Sequence, residues 1–146
     1  MLVRLLPNDI SNNWVNISTA IVKGLQPIGT IDEDSINRLL EASLTEELQL
    51  WLIIKPEKEV QRIIGLVSTV ILIDPILRTK SLLVYSLFGV ETIPGHIWVE
   101  GIETLRKFAG GNSCTKVCAF SNLVNVVEIL KLLGADTSWH YISMEV

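Results

Sequence analysis

Residues 81–120 read SLLVYSLFGVETIPGHIWVEGIETLRKFAGGNSCTKVCAF. The segment opens with the apolar run Ser81 to Gly89, whose length and composition predict a strand buried on both faces. A helical stripe then follows, made of Trp98, Ile102, Leu105 and Ala109. Gly110-Gly111-Asn112 stops the helix, and Thr115 to Phe120 predicts a second strand. Such a strand–helix–strand unit implies a right-handed crossover between two parallel strands.

Upstream of this unit, the pattern predicts an antiparallel meander. Leu48 to Ile54 and Val60 to Ile73 are two apolar runs separated by the charged turn 55–59, and Asp74-Pro75 ends the second run. Short polar connections of this kind join antiparallel neighbours. Ser81 to Gly89 is therefore expected as the third strand of the meander.

The two ends of the chain add further elements. Met1 to Leu6 alternates weakly and predicts a strand, with Pro7-Asn8-Asp9 as a turn and helix cap. Apolar residues at helical spacing then predict two helices: Ile10, Trp14, Ile17 and Ile21 form the first stripe, and Ile36, Leu39 and Leu40 form the second. Thr30 and Glu33 are spaced as a capping box for the second helix.

Beyond residue 120, Leu123 to Leu133 predicts a helix ended by Gly134, and Ser138 to Val146 predicts a final strand. The element order is therefore β-α-α-β-β-β-α-β-α-β. It predicts an α/β (α+β) fold with a mixed, mostly antiparallel twisted sheet and helices on both faces. The length suits a single domain spanning residues 1–146.

Composition excludes several classes of protein. The chain is 49% apolar, yet its longest uncharged apolar run, Ile63 to Ile73, is far short of the about 20 residues that cross a bilayer. A net charge of −4 provides no basic field for nucleic acid. The start of the chain lacks the features of a signal peptide, so we expect a soluble, cytoplasmic protein.

The two cysteines predict neither a disulfide nor a metal site. Cys114 and Cys118 lie four residues apart in the expected strand, which places them about 13 Å from each other. That distance is too long for a mutual bridge, so free thiols in a reducing compartment are expected. No third or fourth ligand stands nearby, and we expect no metal.

The closing helix carries a family resemblance. Asn122, followed by Ile129-Leu130-Lys131-Leu132-Leu133-Gly134-Ala135, resembles the last helix of the GNAT (GCN5-related) N-acetyltransferases. In that family an asparagine leads a helix ending Leu-Tyr-x-x-x-Gly-Phe. The element order of nearly the whole chain is similar to the family's as well. The family's tyrosine, which often protonates the leaving thiolate, aligns with Leu130, and leucine carries no proton to donate.

The resemblance also implies where acetyl-CoA would bind. GNAT enzymes carry Gln/Arg-x-x-Gly-x-Gly/Ala after the fourth strand, where backbone N–H groups and a helix N-terminus hold the pyrophosphate. The equivalent loop here is Ile93-Pro94-Gly95-His96-Ile97-Trp98, which keeps one glycine, displaced by one position. Pro94 lacks an N–H donor, and Trp98 occupies or adjoins the place of the second small residue. The implied cofactor-binding residues, if acetyl-CoA binds, are Val90, Gly95, His96, Ile97, Trp98 and Asn122.

Two residues are candidates for catalysis. Glu91 follows the strand where GNAT enzymes often place a general base, and it is either that base or a solvated loop carboxylate. Tyr85 either faces the acyl site or lies in the core with its hydroxyl satisfied.

His96 either contacts a phosphate or is a surface loop histidine. The acidic stretch 32–34 is expected to start a helix, with a role beside the acceptor as the alternative.

These features lead to three hypotheses. The first is a GNAT-fold protein with a degenerate acetyl-CoA loop that serves as a non-catalytic structural or interaction module. The second is a divergent N-acetyltransferase acting on an unknown amine. The third is a phage-encoded or virion protein in a bacterial host, since some tailed-phage GNAT-like proteins are similar in carrying a proline and a tryptophan near this helix start. We expect a homo-oligomer or a protein partner, bound through a sheet edge or an exposed tryptophan such as Trp51 or Trp139.

Overall fold

The computed structural model describes residues 1–25 and 31–146, which contain five strands and five helices. In chain order the elements are β1 (Leu2–Arg4), α1 (Pro7–Asn12), α2 (Trp14–Gly24), α3 (Glu33–Leu44), β2 (Leu48–Glu57), β3 (Val60–Ile73), β4 (Lys80–Gly89), α4 (Gly95–Gly111), β5 (Lys116–Ala119) and α5 (Val124–Leu132).

The strands form one sheet in the order β1-β2-β3-β4-β5. The first four strands pair antiparallel with their neighbours, and β5 pairs parallel with β4. The predicted meander and the predicted parallel crossover through α4 are both confirmed. The α/β class with a mixed, mostly antiparallel sheet is therefore confirmed as well.

Helices cover both faces of the sheet, as predicted. Because side chains alternate along a strand, Leu48 and Leu50 face α1–α3 while Trp51 and Ile53 face α4. The α4 side forms a core with Ile64, Leu82, Ile97, Leu105 and Ala109. The opposite core joins Ile10, Ile17, Ile21 and Leu66 to the strand residues.

The first predicted helix is divided in two at Asn13. Its backbone leaves the helical region there (φ −124°, ψ 19°), and its side-chain amide donates to the Asp9 carbonyl at 2.9 Å. Pro7 is the first residue of α1 rather than part of a preceding turn, which suits its fixed φ. The predicted apolar face continues across the break, since Ile10, Ile17 and Ile21 are all buried.

The start of α3 uses a different cap from the one predicted. Asp32 is the capping residue, and its carboxylate accepts a hydrogen bond from the Ser35 N–H at 2.7 Å. Hydrogen bonds from the Ser35 hydroxyl and N–H hold the pKa of Asp32 below its usual range. Thr30, the first residue of the predicted box, lies outside the described residues. The prediction that acidic residues begin this helix is confirmed.

The charged turn between β2 and β3 is shorter than predicted. Lys55, Pro56 and Glu57 continue β2, and the turn is confined to Lys58 and Glu59. Pro56 is tolerated because β1 reaches only as far as Ile53, which leaves this part of β2 at a sheet edge. The bounds predicted for β3 are those observed.

The predicted final strand, Ser138 to Val146, is wrong. No strand forms beyond α5 in the described residues, and Trp139, His140, Tyr141, Ile142 and Met144 are all exposed. The composition favours a strand, but an isolated strand without a hydrogen-bonded neighbour is unstable in water. Of the two tryptophans that could face a partner, Trp51 is buried in the core and Trp139 is exposed.

Within the described ranges, no helix is long and apolar enough to cross a membrane.

Candidate functional site

The strands β4 and β5 separate part-way along their length. They pair only between Ser81–Val84 and Lys116–Ala119, whereas β4 continues to Gly89. Because the two strands are parallel, the gap opens at their carboxyl ends, beside the loop that leads into α4. In open sheets with parallel strands, ligands bind at such ends. This gap is the geometric candidate for a cofactor site.

A β-bulge at Tyr85 lies where the strands part. The pairing of β3 with β4 passes from Ser68↔Ser86 to Thr69↔Val84, so Tyr85 has no partner across the ladder. The Ser68 and Ser86 hydroxyls hydrogen bond to each other, and both side chains are buried. A bulge bends its strand and increases the local twist. We infer that this buried serine pair helps to fix the point at which β4 turns away from β5.

Tyr85 itself packs toward the α1–α3 layer. It is half-buried against the apolar core that contains Ile17, Ile21 and Leu66. Tyr85 and Glu91 lie at different levels, since the four steps from Tyr85 to Gly89 alone span about 13 Å of extended strand. The structure therefore does not bring the two predicted catalytic residues together along β4.

Glu91 is held by two cations. Arg62 donates to its carboxylate through both terminal nitrogens, at 2.6 and 2.9 Å, and the Lys55 ammonium lies 3.6 Å from Oε1. Arg62 also binds the Glu57 carboxylate at 2.8 Å. Two-pronged arginine–carboxylate pairs are strong and fix the geometry of both partners. Each Glu91 oxygen thus accepts a charged hydrogen bond, and its role as a general base stays a prediction.

The loop after Glu91 leads into an open helix N-terminus. The Pro94 carbonyl accepts hydrogen bonds from the N–H groups of Ile97 and Trp98, at 3.0 and 3.2 Å. The N–H groups of Gly95 and His96 find no acceptor in residues 1–25 and 31–146. Both residues are exposed, and a Cβ placed on Gly95 would meet no atom within 4 Å. Space therefore remains beside the surviving glycine of the loop.

The other predicted cofactor residues differ in their accessibility. Ile97 is buried in the α4-side core, so its side chain faces away from solvent. Trp98 is half-buried on the adjoining side of α4 and is absent from the packing of either apolar core. Val90 is exposed, and its N–H donates to the Ile64 carbonyl at 2.9 Å. Asn122 is exposed between β5 and α5.

The end of α5 confirms one part of the expected closing motif. Gly134 adopts a positive φ of 91°, the conformation that ends many helices and favours glycine. Leu130 is half-buried, and its carbonyl accepts from the Ala135 N–H at 3.0 Å. The side chain at this position is a hydrocarbon and supplies no proton.

The cysteines lie beside the crossover without a bridge between them. Cys114 precedes β5 instead of lying in it, and Cys118 is within the strand. Burial raises the pKa of the Cys118 thiol, which disfavours the reactive thiolate.

The sequence does not predict a groove on the face of the sheet that α1 and α2 cover. It has a volume of about 390 Å³ and lies between α1–α2 and strands β2–β4. Its polar side is formed by Asp9, Asn13 and Asn16, and its apolar side includes Phe88 and Val90. Helical spacing places the three polar residues on one face, but only the tertiary structure places the strands opposite them.

No protein-family model and no curated protein matches the chain. Solved structures do match it. The crystal structure of a predicted acetyltransferase from Clostridium acetobutylicum with acetyl-CoA superposes with a TM-score of 0.68 at 16% identity, covering 99% of this chain and 95% of that one.

Two further solved structures also match over nearly the whole length of both chains. A ribosomal-protein-alanine N-acetyltransferase from Brucella melitensis biovar Abortus gives a TM-score of 0.64 at 11% identity, with 100% of this chain and 99% of that chain covered. An aminoglycoside acetyltransferase from an uncultured soil metagenomic sample, in complex with sisomicin, gives 0.68 at 11% identity, with 100% and 94% covered. The TM-scores and the coverage show a shared fold over the whole chain, and at identities this low they show the fold alone.

Proposed function

Starting from the premise that this chain has the GNAT fold, we propose that it is a non-catalytic structural or interaction module. The observation that carries the proposal is the state of Glu91, whose two carboxylate oxygens are both bound by Arg62. A general base must be free to accept a proton from its substrate. Freeing Glu91 requires breaking a two-pronged ion pair and separating it from Lys55.

Two departures from the family support the same proposal. Leu130 stands where the resemblance places the tyrosine that protonates the leaving thiolate, so general-acid assistance is missing there. Pro94 removes one N–H donor from the loop that would hold a pyrophosphate. Together with the ion pair of Glu91, these departures affect the general acid, the cofactor loop and the general base.

The divergent N-acetyltransferase is the second candidate, favoured by the gap between β4 and β5. The gap lies next to the N–H groups of Gly95 and His96, which have no acceptor among the described residues, at a helix N-terminus that favours phosphate. Acetyl-CoA would supply the acyl group when bound there. In this case Glu91 would have to leave Arg62 and take the proton of the amine.

A panel of amines incubated with acetyl-CoA and assayed by mass spectrometry separates the two candidates. We expect the wild-type protein and the Glu91→Gln variant to give the same product as protein-free buffer, because the base is already occupied. An active acetyltransferase on the same panel is the positive control. Wild-type turnover above that of protein-free buffer would refute the non-catalytic role, and a loss of about 100-fold or more in Glu91→Gln would identify Glu91 as the general base.

A phage or virion origin stays a prediction, since it depends on Pro94 and Trp98 alone.

A further inference from the structure

β5 is the last strand of the sheet and has an outer edge. Its four residues, Lys116–Ala119, pair with β4 on one side, and no strand pairs with the other side in the part of the chain that the structure describes. Such an edge presents backbone donors and acceptors to any strand that can reach them. The opposite edge is better protected, because β1 has only three residues and the Met1 amine binds the Ile54 carbonyl and Glu100.

The helix next to this edge is poorly covered. α5 contains no buried residue, whereas each of the other four helices buries at least one. Leu123, Val124 and Leu132 are more than half exposed on or beside it. α5 is therefore only partly covered within one copy, because its remaining apolar side chains are no more than half-buried: Val126, Val127, Ile129, Leu130 and Leu133.

The C-terminal segment has strand-forming side chains but pairs with no strand in the described part of the chain. Trp139, Tyr141, Ile142 and Met144 are exposed, and aromatic and β-branched residues favour strands. The Tyr141 ring lies 5.0 Å from the ring of Phe120, the residue directly after β5. The segment therefore passes close to the open edge without pairing with it.

We propose that a second copy of this chain completes the sheet, with residues 138–146 of each copy paired as a strand along the β5 edge of the other. Each chain carries one open edge and one unpaired segment, so a two-fold arrangement satisfies both in both copies. The inference goes beyond the proposed function, and it holds whether or not the protein is catalytic.

The apolar surface available is of the size that a stable dimer needs. Specific interfaces bury about 800 Å² on each partner, and aromatic side chains bury about 150–250 Å² each. Phe120, Trp139 and Tyr141 are 43%, 85% and 63% exposed, so together they supply about half of that area. The exposed aliphatic residues of α5 and the segment add to it. Lys116 on the edge and Glu145 on the segment have opposite charges, which suits cross-strand pairing.

Light scattering of the full chain over a range of concentrations tests the proposal. We expect a mass of about twice 16.3 kDa that falls toward the monomer on dilution. Ile142→Asp should shift the protein to monomer, because it places a charge in the pairing segment. Ile76→Asp is the matched control: the two isoleucines are 82% and 85% exposed, and Ile76 lies in the β3–β4 turn. It should leave the dimer intact.

Amide exchange of Val117 and Cys118 identifies which segment covers the edge. Protection that rises with protein concentration and is lost in Ile142→Asp supports pairing between copies. Protection independent of concentration would show the chain's own segment on the edge and would overturn the proposal. Three results of the light scattering would also overturn the proposal. These are a wild type that is monomeric at every concentration, the same mass for both variants, and a mass that keeps rising beyond that of a dimer.

Discussion

Replacing Gly24 with alanine is expected to destabilise the protein by about 3 kcal/mol, at the upper end of the range for overpacking. A Cβ at this position would lie 2.7 Å from the Leu87 carbonyl oxygen and 2.8 Å from its carbon. These are backbone atoms of β4, which is tied to β3 by its ladder and cannot yield as a side chain does. The last turn of α2 must therefore shift.

The matched control for this change is Gly101→Ala. Gly101 lies inside α4, and an added Cβ there would meet nothing within 4 Å. Alanine should stabilise that helix by about 0.5–1 kcal/mol relative to glycine. Urea denaturation of both variants measures the difference. A Gly24→Ala protein as stable as wild type would show that α2 does not depend on this close approach.

The close approach of Gly24 to β4 also affects the candidate site between β4 and β5. Gly65 on β3 approaches the same part of β4, since its Cβ would lie 2.6 Å from the Phe88 carbonyl oxygen. The half of β4 that has no β5 neighbour is thus held between two glycines, one in a helix and one in a strand. We infer that these contacts keep the gap between the strands in place.

Replacing Thr69 with valine is expected to cost about 2–6 kcal/mol, because two buried polar groups lose their partner at about 1–3 kcal/mol each. The Thr69 hydroxyl accepts from the Trp51 indole N–H at 3.0 Å and donates to the Gln49 side-chain oxygen at 3.0 Å. Valine has nearly the same shape but no hydroxyl. The two neighbours would remain buried without a hydrogen bond.

Thr69→Ser provides the control, since it keeps the hydroxyl and removes only one methyl group, at about 1 kcal/mol. Thermal or chemical denaturation should rank wild type above serine and serine well above valine. If valine proves as stable as serine, the hydrogen bonds of Thr69 contribute little. Because Thr69 lies opposite the Tyr85 bulge, a loosened Thr69 is also expected to increase amide exchange in β4.

Much of the fold is predictable from local pattern. The bounds of β3 follow from an apolar run stopped by Asp74, and the parallel pairing of β4 with β5 follows from the handedness of a crossover. The segment 138–146 shows the limit of that reasoning. Its composition favours a strand, but a strand exists only beside another strand, and one chain offers it none in the described residues.

The candidate site is less predictable, because it depends on register. The Tyr85 bulge results from how β3 pairs with β4, and only the serines within two apolar strands hint at it. Arg62 is 29 residues from Glu91 in the chain, and nothing in either local sequence links them. The sequence predicts that Glu91 follows β4, but it does not predict the ion pair between Glu91 and Arg62.

Calorimetric titration of the full chain with acetyl-CoA tests the central claim most directly. Our account of residues 93–98, in which proline replaces an N–H donor and no Arg or Lys lies between Lys80 and Arg106, predicts no measurable heat of binding at micromolar concentrations. A saturable isotherm with a micromolar dissociation constant would contradict it, and the open space beside Gly95 would then be the place to look for the pyrophosphate.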